Sequence, residues 1–310
     1  MDARLVVSPA TPPPRNPGPE WGFAFLTWAD RWWPKAIFRP GTMLGTWVAL
    51  PFMPEQRRAS RDYLAVVLGR VPRVTEVWRH FYAFTDFLLL RLRVARGEPQ
   101  PCRLDAGDGA DFNTLIASGE PALFGTFHFG HSDLLGFFLA RRGRRVAMVR
   151  MRLGNSDDTR RLGQTFRDAV RFIWVNEPAA LLFALKDAVE AGESIALQCD
   201  RLEFAAKAEP FEFLGRRRLF PFTIYHLALM FGRPVMFCLG LPGERGDTVV
   251  RPCPLFRPDP AQSRAANLAA ARAHFQQVLV ELETLVRQQP MLWFNFLPLN
   301  PEPTPRGGAV

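Results

Sequence analysis

Between Gly119 and Arg142 the chain reads GEPALFGTFHFGHSDLLGFFLARR. GEPALFGTF is a short apolar run between turn residues and predicts a buried strand; LLGFFLARRGRR, 134–145, predicts a helix. The same alternation continues downstream. RRVAMVRMR (144–152), RFIWVN (171–176), SIALQCD (194–200) and RPVMFCLG (233–240) read as strands. Residues 157–171, PAALLFALKDAVEAG (178–192) and PFTIYHLALMFG (221–232) read as helices, the second with Pro near its start and Gly just past its end. Strand and helix in alternation imply an α/β sheet with helices on its faces. Functional residues are then expected where strands end and helices begin.

Upstream, residues 54–96 are helical in pattern. Val74, Val77, Trp78, Phe81, Phe84, Leu88 and Leu89 recur every three or four residues and mark an amphipathic helix ending near Gly97. His80 lies inside it and reads as structural. Before it, Trp21 to Phe52 mixes Trp, Phe and Leu with Arg31, Lys35 and Arg39, the composition of an interfacial membrane segment. A helix packed on the rest of the domain explains the same residues, and one face can serve each purpose. Downstream, Leu268, Phe275, Val278, Leu279, Leu282 and Leu285 mark one long helix that stops before Pro290, after which MLWFNFL packs back. The expected organisation is a disordered leader (1–20), an N-terminal helical membrane-docking region (21–100), an α/β domain (101–297) and a loose tail (298–310).

Composition narrows the class. Of 310 residues, 48% are hydrophobic and 22% charged, which excludes global disorder. The 39 Lys and Arg outnumber the 30 Asp and Glu, for a net charge of +9, so acidic partners are favoured: nucleic acid, anionic lipid headgroups or an acidic carrier protein. Twenty-seven Phe and eight Trp against three Tyr suit lipid contact better than base stacking. The basic residues are dispersed and form no recognition motif, so nucleic acid is not the expected partner. No run reaches the length of a membrane span, and no secretory signal is read at the start. Cys102, Cys199, Cys238 and Cys253 form no C-x-x-C pair and read as reduced structural thiols.

The chemistry concentrates in HFGHSD, His128 to Asp133. His128 falls at the end of a strand and Asp133 in the first helical turn. A carboxylate five residues downstream, across a Gly-containing turn, is expected to reach back to the imidazole, fix its tautomer and stabilise the imidazolium. The pair reads as a general base without a serine nucleophile: His128 deprotonates an acceptor hydroxyl, which attacks an acyl thioester directly. Gly130 lets backbone approach closely, and amides near the helix start are expected as oxyanion donors. His131 either lines the acceptor pocket or caps the helix. The H-x-H-x-D-H spacing of a metallo-β-lactamase is absent. His80, His226 and His274 fall singly in predicted helices, so no metal is expected. Arg150, ending another strand, is expected to clamp a phosphate. LQCDRLE places Asp200 and Arg201 at a further strand end. In PFEFLGRRRLFPFT, 210–223, Gly215 makes a turn, Pro221 starts a helix, and the RRR run is either an anion contact or a solvated loop.

Taken in order, these segments resemble the lysophospholipid acyltransferase superfamily, and within it the branch of lipid A late acyltransferases and related bacterial acyltransferases. HFGHSD resembles the H-x4-D/E motif, VAMVR the strand carrying an Arg, LQCDR the D-Q/D-R turn, and PFEFLGRRRLFPFTIYHLAL the P-F-F-G segment with its following P and L-A. The prelude RRASRDYLAVVLGRVPRVTEVWRHFYAF also looks like that of the branch, so the resemblance covers about residues 21–296. It implies a mixed, mostly parallel sheet flanked by helices, an apolar groove and a peripheral location on the cytoplasmic face of an inner membrane. It implies transfer of a fatty acyl group from acyl carrier protein or acyl-CoA to a hydroxyl of a membrane lipid or glycolipid, with no bound cofactor. His128 is then the base and Asp133 its partner, while Arg150, Asp200, Arg201, Gly130, His131 and Gly215 serve substrate binding. The nearest rivals are an acyl hydrolase on the same fold and a catalytically inactive lipid-binding relative. The chain has His131, Ser132 and Asp133 where the lipid A enzymes carry N-W-E, and WFNFLPL where they carry W-x-H-R-R.

Overall fold

Leu123 begins a strand because the residues that follow can be buried on both faces of a sheet. The structure, a computed structural model, describes residues 20–105, 109–151, 165, 166, 168–202 and 207–299. The order is α1 (Glu20–Trp32), α2 (Lys35–Ala49), α3 (Pro54–Leu68), α4 (Val74–Ala95), β1 (Cys102–Leu104), α5 (Gly109–Ser118), β2 (Leu123–Thr126), α6 (Leu135–Arg141), β3 (Val146–Arg150) and β4 (Val170–Trp174). There follow α7 (Pro178–Glu190), β5 (Ser194–Gln198), β6 (Ala208–Phe213), β7 (Arg216–Pro221), α8 (Thr223–Phe231), β8 (Val235–Pro242), β9 (Thr248–Phe256) and α9 (Arg264–Gln288).

Seven strands form one mixed sheet in the order β1-β9-β8-β2-β5-β3-β4. All its pairings are parallel except β8 with β9. The expected α/β, mostly parallel architecture is therefore present. Alternate residues serve opposite faces, as strand geometry demands. Leu123, Ala147, Ile195 and Phe237 pack with α3, α7, α8 and α9, whereas Phe124, Met148, Ala196 and Met236 pack with α5 and α6. α4 joins both layers, with Phe81 in the first and Phe87 in the second.

The sheet exceeds the sequence expectation at one edge. β9 contains Pro252 and Pro254, which argue against a strand. They are accommodated because β1 pairs with β9 only over Thr248–Val250, so the prolines lie where that edge of β9 is unpaired by β1. The run of three arginines is neither a loop nor wholly solvated. It lies in β7, antiparallel to β6, with Arg218 buried and its Nε donating to the Phe213 carbonyl at 3.1 Å. Leu214 and Gly215 both have positive φ, 52° and 72°, in the two-residue turn of this hairpin, where the strand twist favours that geometry. The start of the strand expected at Arg171 moves to Val170, and most of the helix expected over 157–171 lies outside the described residues. So do most of the leader and the tail from residue 300.

α1 and α2 attach to α4 through a small apolar cluster of Ala29, Phe38 and Leu89. The carboxylate of Asp30 reinforces it, accepting from Arg93 Nε at 3.0 Å and Arg96 Nη2 at 2.7 Å. Burial works to raise the Asp30 pKa, but the two guanidinium groups hold it below the usual carboxylate range. The outer surface of this arm is apolar: Trp28, Trp32, Ile37, Leu44, Val48 and Phe52 are all exposed. No helix among the described residues is long and apolar enough to cross a membrane. The four cysteines are free, and all but Cys102 are buried.

At the centre of β2, Gly125 leaves room for the Phe237 ring of neighbouring β8; a Cβ there would stand 2.4 Å from that ring. Gly125→Ala overpacks the sheet and is expected to cost about 1–3 kcal/mol. A urea titration with unchanged m-value and lowered midpoint is the expected result.

Candidate functional site

The site is built by the register of two strands. β2 and β5 pair in parallel with Thr126 opposite Gln198, and the ladder continues one step as Cys199 N–H donates to the Thr126 carbonyl at 2.8 Å. Two residues past each strand end stand His128 and Asp200. They keep the register of the ladder and the same parity, so their side chains emerge side by side. His128 Nδ1–H donates to Asp200 Oδ1 at 2.7 Å, and the His128 backbone N–H donates to Oδ2 at 2.9 Å. This two-point grip fixes the Nδ1–H tautomer in the neutral imidazole and leaves Nε2 with the lone pair.

The expected partnership of His128 with Asp133 is therefore corrected. Asp133 does lie in the first turn, within the short 3-10 segment Ser132–Leu134, but its carboxylate turns to arginines. Arg150 Nη2 reaches Oδ1 at 2.6 Å and Arg91 Nε lies 3.5 Å from Oδ2. The physical reason is charge: two guanidinium groups attract a half-buried carboxylate more strongly than a neutral imidazole does. Burial works to raise the Asp133 pKa, yet Arg150 and Arg91 hold it down at about 2. Asp133 remains close enough for its charge to act on His128. Arg150, expected at a substrate phosphate, is the main anchor of Asp133, and its guanidinium lies 5.6 Å from the Phe172 ring centre.

Three of the amides expected as oxyanion donors near the helix start are already bonded elsewhere. Gly130 N–H donates to the Leu292 carbonyl at 2.7 Å, His131 N–H to Gly240 at 2.8 Å and Ser132 N–H to Phe129 at 3.1 Å. These amides secure the loop rather than face a substrate. Gly130 is required: its φ is 52°, and a Cβ would stand 2.3 Å from the Gly240 carbonyl oxygen. His131 points to the far edge of the sheet, where its Nδ1 meets Thr248 Oγ1 at 2.9 Å and its ring stacks on Phe87. Burial pushes its pKa down to about 4. His131 thus helps to hold the loop against β9, and it caps no helix through its side chain. Gly215 forms the hairpin turn, whose Leu214 N–H is bound by Glu283 of α9 at 2.6 Å; its part in the structure is to turn the chain.

Asp200 is buried and almost fully satisfied. Besides His128, the indole N–H of Trp293 donates to its Oδ2 at 2.9 Å. Burial opposes its ionisation, but His128, Arg201 and this indole keep it a carboxylate below the usual range. Arg201 donates from Nη2 to the Phe294 carbonyl at 3.2 Å, while its buried Nε has no acceptor among the described residues. Burial and the Arg201 charge together push the His128 pKa below its ordinary value, against the pull of Asp200. A neutral imidazole results at physiological pH, with its side chain about 20% exposed.

The sequence reading missed Trp293 and Arg91 as members of the site. Trp293 carried one signal, its place in the MLWFNFL segment expected to pack back. That segment lies along the site loop: Phe129 bridges Trp293, and Phe294 N–H donates to the His128 carbonyl at 2.6 Å. Among the described residues no group of His, Cys, Asp and Glu is arranged to hold a metal ion. No protein-family model and no curated protein matches the chain.

Asp133 titrates well below its ordinary value of 3.8, so its contribution to stability is complete above that value and fades as pH falls towards about 2. Asp133→Asn is expected to cost roughly 2–3 kcal/mol at neutral pH. Denaturant midpoints of the two proteins should converge as the pH is lowered below 4, and a difference independent of pH would contradict the assignment.

Proposed function

We propose that the protein is an acyltransferase, moving a fatty acyl group from an acyl thioester to a hydroxyl of a membrane lipid or glycolipid. The observation that carries this reading is the His128–Asp200 pair at the carboxyl ends of adjacent parallel strands, with Nε2 of a neutral imidazole left to act as base. His128 Nε2 takes the proton of the acceptor hydroxyl as its oxygen attacks the thioester carbonyl carbon. The C–S bond breaks, and the departing thiolate takes the proton back from the imidazolium. Asp200 stabilises that imidazolium and remains ionised throughout. Arg201 keeps guanidinium N–H groups beyond the one on the Phe294 carbonyl for the charge that develops on the thioester oxygen, a role the amides of Gly130, His131 and Ser132 are not free to take. A substrate phosphate would share Arg150 and Arg91 with Asp133.

The N-terminal arm supports a membrane-bound acceptor. Trp32 is 65% and Phe52 80% exposed, on a surface that also displays Arg31, Lys35 and Arg39. Exposed aromatic residues beside cations suit the headgroup region of an anionic bilayer. The basic net charge also suits an acidic carrier protein as donor.

Comparative lipid mass spectrometry of a host lacking the protein, complemented with wild type or His128→Ala, tests the reaction. One lipid should lose an acyl-sized mass, and only the wild type should restore it. With purified protein and a radiolabelled acyl thioester, His128→Ala should lower transfer roughly 10²–10⁴-fold. Release of free fatty acid irrespective of lipid would instead identify a hydrolase. Full restoration by His128→Ala would point to a binding role. For the arm, replacing Trp28 and Trp32 by Ser should reduce co-sedimentation with vesicles containing phosphatidylglycerol, at unchanged melting temperature.

A further inference from the structure

Behind the candidate base lies a line of buried polar groups that the reaction scheme leaves unused. Ser60 on α3 and His80 on α4 are both fully buried, and Ser60 Oγ lies 2.8 Å from His80 Nδ1. His80 Nε2 lies 2.9 Å from the Trp293 carbonyl. A carbonyl only accepts, so Nε2 carries the hydrogen and Nδ1 accepts from the Ser60 hydroxyl. Burial pushes the His80 pKa down to about 4, opposed by the Trp293 carbonyl, so the ring stays neutral. Trp293 then donates its indole N–H to Asp200, which grips His128. Every group along this line has its hydrogen-bonding role fixed by the next.

Two aromatic rings pack against Trp293. Tyr63 meets it edge-on at 5.1 Å and Phe213 of the hairpin at 5.4 Å. Tyr63 also donates its hydroxyl to the Pro290 carbonyl at 2.7 Å. With only 2% of Trp293 exposed, its indole has little freedom to leave Asp200.

We infer that Trp293 is a positioning residue for the His128–Asp200 pair, held in register by His80 and Ser60 from the opposite side of the chain segment. The indole N–H orients the Asp200 carboxylate so that Oδ1 faces the imidazole, and it takes up part of the negative charge that Asp200 would otherwise direct at His128. Trp293 touches no reacting atom. The inference rests on His128 being the base of the proposed reaction, but its test needs no substrate.

The test follows the titration of His128 by ¹⁵N NMR in full-length wild type, Trp293→Phe and Ser60→Ala, with the melting temperature of each. The charged groups that bear on His128 are Asp200, Arg201 and Asp133, and all are retained in these variants. Trp293→Phe keeps a ring in place and removes one donor from Asp200. The His128 pKa should rise by about one unit, as expected for the loss of a hydrogen bond to a charged group. Ser60→Ala, two groups removed from Asp200, should shift it in the same direction by less. Asp200→Asn should shift it the opposite way, because the attraction of the carboxylate is lost. A role confined to stability lowers the melting temperatures and leaves the His128 curve on that of the wild type; that result in either variant overturns the inference. Should Trp293→Phe fail to fold, Ser60→Ala decides alone. If the shifts appear but wild type transfers no acyl group, the acyltransferase reading falls and the positioning role stands.

Discussion

The backbone ladder between β2 and β5 is the constraint on which the site depends. Parallel pairing advances both chains in the same direction, so whatever follows the two strands by the same number of residues arrives together. Cys199 extends that ladder one step beyond the strands, and His128 and Asp200 meet at the next. The pair needs no long side chain and no adjustable loop to find each other. A one-residue slip would put the carboxylate on the other face of the sheet, but the alternation of Leu123 and Phe124 between two packed layers forbids it.

Around that fixed pair the remaining polar groups divide into two systems with different physics. Asp200 sits among hydrogen-bond donors beside Arg201, and its burial is made tolerable by directed bonds from an imidazole, an amide and an indole. Asp133 sits between two guanidinium groups and is stabilised mainly by charge. Two carboxylates lie near one histidine, yet only one has a hydrogen bond to it. The arginines take Asp133 away from the imidazole and leave a single orientation for the ring.

Much of the central sheet was legible because each of its inner strands is a local event: an apolar run between turn residues. HFGHSD announced a histidine at a strand end for the same reason. The partner of that histidine was not legible from the local spacing, since H-x-x-x-x-D is read along the chain and the actual contact runs across the sheet. Asp200 was recognised as a strand-end residue, but its pairing required knowing that β5 lies beside β2 rather than β3 beside β2. Pro252 and Pro254 hid β9, whose tolerance of proline depends on how short β1 is. The arginine run hid β7, whose partner β6 supplies the reason for its extended form. Trp293 was hidden most deeply, because a tryptophan in an apolar segment gives no sign that its one polar atom has a designated acceptor.

The contacts that close the back of the site join residues very far apart along the chain: 213 positions separate His80 from Trp293, and 227 separate Tyr63 from Pro290. Such contacts form late, because the loop they close is costly in entropy until the intervening sheet has condensed. During synthesis at a ribosome, the strands bearing His128 and Asp200 emerge well before Trp293 does. A growing chain can therefore pair its sheet while Asp200 still lacks its indole and the loop at Gly130 still lacks the Leu292 carbonyl. The order of synthesis thus separates the folding of the scaffold from the completion of the site, and a chain interrupted before Trp293 would carry His128 and Asp200 without the indole that holds the carboxylate.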